Sequence, residues 1–67
     1  MIYDNIVAYC KNEGISIMVF EQLCGLSNGT VGKWEGGKLQ PSLGSLQKIE
    51  SATGVSIAAW LSKEAVK

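Results

Sequence analysis

The 67-residue sequence predicts an all-α fold: five short helices around one core. Three observations carry that reading. Apolar residues recur at helical spacing, as in Tyr3, Ile6, Val7 and Cys10, which fall at i, i+3, i+4 and i+7 on one face. Ser16, Ser42 and Ser56 each stand just before such a run, where an N-cap oxygen accepts a free backbone N–H. Gly14, Gly25 and Gly54 stand where the runs stop, at the position that leaves a helix in a left-handed conformation.

The first helix is expected over residues 2–12, closed by Asn12-Glu13-Gly14. Ser16 caps the second, with Ile15 and Phe20 in the two positions of a hydrophobic staple. Phe20, Leu23 and Cys24 are spaced to share its inward face. Gly25 ends it, Leu26 fills the corner, and Ser27 stands as the cap of a third helix over 27–35. Val31 and Trp34, three apart, point that helix inward. At 100° per residue its outward face is then Gly29, Gly32, Lys33 and Gly36. Gly36-Gly37 terminates it, and Pro41 bars a helix across the loop 38–41. Ser42 caps a fourth helix with Leu43, Leu46 and Ile49 inward and Gly44 as a soft spot in its first turn. Val55 and Trp60 staple the last helix, 57–61, behind the Ser56 cap, and a polar tail follows at about 62–67. No repeat or linker interrupts the chain, so residues 1–67 read as a single domain.

Composition narrows the function classes. Net charge is zero, with six lysines, no arginine and no histidine. The distribution is uneven: residues 1–26 carry an acidic excess and residues 27–48 a basic one, from Lys33, Lys38 and Lys48 against Glu35. No apolar run approaches the roughly 20 residues that span a bilayer, and no signal-peptide pattern opens the chain, so the protein reads as soluble and cytoplasmic. Cys10 and Cys24 both fall on core stripes and read as free thiols. There is no histidine to join the two cysteines in a zinc site or to serve acid–base or triad chemistry, and the carboxylates are scattered singly. The glycines of GTVGKWEGG fit neither the dinucleotide nor the P-loop spacing. No enzyme, cofactor or metal site is expected.

The stretch 17–36, IMVFEQLCGLSNGTVGKWEG, resembles the helix-turn-helix of the small phage repressor and Cro type, the XRE family, through Phe20, Cys24, Gly25, Leu26, Ser27, Val31 and Trp34. PSLGSLQKIESATGVSIAAWL, residues 41–61, looks like the fourth and fifth helices of the same family. The resemblance implies a lambda-repressor-like domain and a sequence-specific transcriptional regulator. It would bind double-stranded DNA as a homodimer on a pseudo-palindromic operator, with the helix over 27–35 in the major groove. On that reading Lys33 and Asn28 meet base edges or phosphates. Ser16, Ser27 and Thr30 lie where hydroxyls and helix-start N–H groups meet phosphates. Gly29 and Gly32 let the backbone approach closely, and Lys38 and Gln40 form a phosphate-contacting loop. Val55, Ile57, Trp60 and Leu61 give the last helix more apolar surface than one small core needs and form the dimer interface, because members of the family commonly pair through this end; Trp60 stands equally as a core residue. Two residues depart from the family pattern: Ile17 stands where a polar residue, often Gln, is usual, and Glu21 where Ala is. The neutral charge and bare outward face leave an alternative, a protein-interaction module of the same fold acting as an anti-repressor or partner of another regulator.

Overall fold

The computed structural model describes residues 2–62. Its elements follow in the order α1 (Ile2–Glu13), α2 (Ile17–Cys24), a 3₁₀ segment (Val31–Gly37), α3 (Leu43–Thr53) and α4 (Ile57–Trp60), with no strand among the described residues. Beyond Ser62 the expected polar tail lies outside the described residues.

Local chemistry sets the boundaries. Ser16, Ser42 and Ser56 are the N-caps of α2, α3 and α4, and their hydroxyl oxygens accept from the N–H of Val19, Ser45 and Ala59 at 3.1, 3.2 and 3.2 Å. Each such cap is worth about 1 kcal/mol. Gly14 and Gly25 adopt φ of 67° and 72° and close their helices with paired return bonds. Gly14 N–H donates to Lys11 C=O and Ile15 N–H to Cys10 C=O, while Gly25 N–H donates to Gln22 C=O and Leu26 N–H to Glu21 C=O. Gly54, at φ 74°, uses a single bond to Glu50 C=O.

The core consists of Ile2, Ile6, Cys10, Phe20, Cys24, Val31, Trp34, Leu46, Ile49 and Trp60. Against it pack the half-buried Tyr3, Tyr9, Ile15, Ile17, Leu26, Val55 and Ile57. α1 is central: it packs on α2, on the 3₁₀ segment and on α4. Tyr9, Phe20 and Trp60 meet edge-on, with ring centroids 5.4–5.9 Å apart, and tie α1, α2 and α4 together. Edge-to-face pairs of this kind add about 0.5–1.5 kcal/mol each beyond area burial.

Three expectations are corrected here. Leu23 is exposed, because the inward arc of α2 is Phe20, Glu21 and Cys24, and Glu21 takes the place assigned to leucine. Leu43 is in phase with Leu46 but lies in the first turn of α3, ahead of the core, and is 64% exposed. Trp60, placed at the dimer interface with the core as the open alternative, is fully buried within the monomer, where its ring packs edge-on against both Tyr9 and Phe20.

One buried polar group closes the fold. Asn5 lies on the same arc of α1 as Ile2, Ile6 and Cys10, and its Nδ2 donates to Trp60 C=O at 2.6 Å and Ser62 C=O at 2.9 Å. Trp60 is the last residue of α4, so this clamp ties α1 to the end of that helix. Asn5→Ala should cost about 1–3 kcal/mol in urea unfolding, since it removes both amide bonds, of which the one to Trp60 C=O is buried. Asn5→Asp should cost more at neutral pH, because a carboxylate would face two carbonyl oxygens. That arrangement raises the folded pKa of the new carboxyl, so stability lost on raising pH should return on acidification. The gap between the two variants should therefore narrow as pH falls toward about 4.

Candidate nucleic-acid interface

The turn between α2 and the 3₁₀ segment is held by one side chain. Glu21 is 3% exposed. Its Oε1 accepts from Gly29 N–H at 3.1 Å and its Oε2 from Val31 N–H at 2.8 Å. Its main-chain carbonyl accepts from Leu26 N–H at 2.8 Å. A single residue thus fixes the end of α2, the turn and the start of the next segment. Hydrogen bonds to a charged partner are worth about 1.5–3 kcal/mol each, which makes burial of this carboxylate tolerable.

The segment that follows is not the α-helix expected over 27–35. Residues 28–30 form turns, with Thr30 N–H donating to Ser27 C=O, and the 3₁₀ helix begins at Val31. Ser27 is not its cap: Thr30 occupies the cap position and makes no side-chain cap bond, because the carboxylate of Glu21 serves instead. Gly29 and Gly36 have φ of 86° and 82°, so their lack of a side chain answers to backbone conformation rather than to a bare helical face. Glu35 leaves helical geometry at ψ 134°, which confines the regular part to a single turn. Glycines at 29, 32, 36 and 37 each disfavour α-helix by roughly 0.5–1 kcal/mol. The threefold spacing of a 3₁₀ turn still puts Val31 and Trp34 on one line, and both are buried.

Burial of that line leaves Asn28, Gly32 and Lys33 exposed on the solvent side, together with Ser27 and Gly29, while Thr30 is half-buried. Lys38 is exposed at the end of the segment, and Gln40 folds back so that its Nε2 donates to Gly37 C=O at 3.0 Å. Ser16 is exposed, with its hydroxyl oxygen engaged as the α2 cap. Ile17, in the usual polar slot, is half-buried against the core and is a packing residue. At the other end, Val55 and Ile57 are half-buried and Leu61 is 51% exposed.

Sequence reading singled out neither Asn5 nor the capping role of Glu21. The available signal was phase: Asn5 sits three from Ile2 and one from Ile6, and Glu21 three from Cys24, so each is a polar residue in an apolar arc. The thiols are free and buried. Burial raises the pKa of Cys10, and burial with the neighbouring Cys10 pushes Cys24 up to about 11, so neither is a reactive thiolate at neutral pH. Among the described residues no group of His, Cys, Asp or Glu could hold a metal ion, and no helix is long and apolar enough to cross a membrane.

A helix-turn-helix family model matches residues 6–60, from the middle of α1 to the end of α4. The chain belongs to that family, the Cro/XRE type. The helix-turn-helix family is one of DNA-binding transcription regulators and not typically enzymatic. No curated protein and no solved structure shows a significant match to the chain. In this member of the family, α2 and the 3₁₀ segment are the two arms of the motif, and the Glu21-held turn joins them.

Gly29 and Gly32 should respond oppositely to alanine. A Cβ at Gly32 meets nothing within 4 Å and its φ is not positive, so Gly32→Ala should stabilise the fold by a few tenths to about 1 kcal/mol. Gly29 also has room, but its φ of 86° is unfavourable for an L side chain, so Gly29→Ala should destabilise by about 1–2 kcal/mol. Thermal melts of the two variants beside the wild type measure both.

Proposed function

We propose that the protein is a repressor-type regulator that recognises a specific pseudo-palindromic operator as a homodimer. The observation that carries this reading is the inward anchoring of Val31 and Trp34, which turns Lys33 to solvent on the second arm of the motif, with Asn28 exposed in the turn before it. Asn28 then pairs with adenine, and Lys33 with guanine O6 or N7. Ser16, Ser27, Thr30, Lys38 and Gln40 hold the backbone, and Gly29 and Gly32 allow close approach. The basic excess of residues 27–48 comes from Lys33 on this arm, Lys38 just after it and Lys48 on α3, against Glu35. Dimerisation runs through the α4 end, on Leu61 and the exposed parts of Val55 and Ile57, with Trp60 beneath them in the core.

A second reading, a partner-binding module that masks another regulator, draws on the zero net charge and on exposed Leu39, in the loop after the 3₁₀ segment, and exposed Leu43 at the start of α3. Selection from a random duplex pool at low salt separates the two: enrichment of a palindrome supports operator binding, and no enrichment supports the partner-binding module. If each subunit neutralises two or three phosphates, the dimer should show a log–log salt slope of roughly −4 to −5, whereas a slope near zero would argue for the protein partner. Lys33→Ala should weaken the selected site more than random DNA, and Lys38→Ala should weaken both alike. Leu61→Glu should shift the sedimentation of the protein toward monomer without lowering its melting temperature, since Leu61 is exposed. Unchanged sedimentation would move the dimer contact elsewhere.

A further inference from the structure

We propose that Asn28 is a site of spontaneous deamidation and that Glu21 gates it: the Asn28–Gly29 peptide cyclises only when the turn opens and Gly29 N–H leaves the carboxylate.

The chemistry needs only water. The backbone nitrogen of Gly29 attacks Cγ of Asn28. The N–Cγ bond forms, the bond from Cγ to Nδ2 breaks, and Nδ2 leaves as ammonia with the Gly29 proton. Water then opens the five-membered imide at either carbonyl, which leaves aspartate or isoaspartate at position 28. Nothing is oxidised or reduced. A glycine at the attacking position has no side chain to hinder ring closure. Asn28 is exposed in the turn, and a Cβ at Gly29 would meet nothing within 4 Å, so the ring has room to form. The other two asparagines are placed differently: Asn5 and Asn12 lie within α1 and are followed by Ile6 and Glu13.

The closed turn has the wrong shape for this reaction. Thr30 N–H donates to Ser27 C=O at 3.1 Å, Gly29 has φ of 86°, and among the described residues only glycines have positive φ. That combination is a type II turn, which sets ψ of Asn28 at about +120°. Ring closure needs Cβ of Asn28 and N of Gly29 on the same side of the Cα–C bond, which for an L-residue means ψ of about −120°. The peptide between them must therefore swing through about 120°. Such a swing carries Gly29 N–H away from Glu21 Oε1, which accepts from it at 3.1 Å in the closed turn. The second bond, from Val31 N–H to Oε2 at 2.8 Å, keeps the buried carboxylate in place. Glu21 thus opposes the rotation that deamidation requires. The consequence for recognition rests on the operator-binding reading above: the product loses the amide donors of Asn28 and adds a negative charge beside the phosphates.

The test incubates the wild type, Glu21→Gln, Asn5→Ala and a free peptide of residues 25–31 in mildly alkaline buffer, each protein shown by circular dichroism to be folded. Peptide mass and isoaspartate content follow position 28. The wild type should deamidate at Asn28 about tenfold or more slowly than the peptide, with Asn5 and Asn12 intact. Glu21→Gln should speed the reaction about tenfold. Asn5→Ala, which weakens the fold away from the turn, should leave the rate near that of the wild type. Equal acceleration by both variants would place the gate at global unfolding and overturn the proposal, as would a wild type that reacts at the rate of the peptide. Should Glu21→Gln unfold, amide hydrogen exchange on the wild type decides. The slowing of Gly29 exchange should match the slowing of deamidation to within about threefold, because one opening serves both. A Gly29 amide that exchanges freely while Asn28 stays intact would overturn the proposal. Asn28→Asp should weaken binding to the duplex that the wild type selects by about tenfold, and unchanged binding would overturn the consequence for recognition. A wild type that selects no duplex would overturn operator binding, while the deamidation result, read by mass, would stand.

Discussion

The geometry of the motif depends on a buried carboxylate facing two backbone donors. Glu21 joins the end of α2 to the start of the 3₁₀ segment across a turn in which Ser27, Asn28 and Gly29 are exposed. An exposed turn of polar residues has little apolar area to bury, so packing alone holds it weakly. Hydrogen bonds must do what burial cannot. The arrangement also explains why Val31 reaches the core at the first residue of its segment. Its N–H is already satisfied, so its side chain can be fully enclosed without stranding the main chain.

Much of the fold was readable in the sequence because its punctuation is local. A serine cap or a left-handed glycine acts within four residues, and the Ser16, Ser42 and Ser56 caps and the Gly14, Gly25 and Gly54 stops stand where residue chemistry puts them. What escaped was decided by distant neighbours. Leu23 and Glu21 flank the same face of α2, and hydropathy favours leucine, yet the glutamate lies inside because the turn ahead offers it two donors. Trp60 read ambiguously because the last helix carries more apolar surface than one small core needs. Its burial follows from Tyr9 and Phe20, aromatic residues contributed by two other elements.

The interface was legible in part. The inward pair Val31 and Trp34 and the outward Lys33 survive the change from α to 3₁₀ geometry, because a spacing of three is common to both periods. The glycines were harder to read. Gly29, Gly32 and Gly36 look equivalent as letters on a helical wheel, but two of them are turn residues with positive φ and only Gly32 is a helical residue without a side chain. A wheel assumes the helix that those glycines prevent.

The Asn5 clamp has a consequence for how the chain comes to be folded. It joins residues 55 and 57 positions apart, and Trp60 completes the aromatic cluster begun by Tyr9 and Phe20. During synthesis the inward face of α1 emerges well before Trp60, which packs against it. Until Trp60 clears the ribosome exit tunnel, Asn5 and Tyr9 remain without their final neighbours, and α1 has only the partial shelter of α2 and the 3₁₀ segment. The packing of α1 is thus complete only once residues 60–62 are available to it, because the clamp and the aromatic cluster both need them.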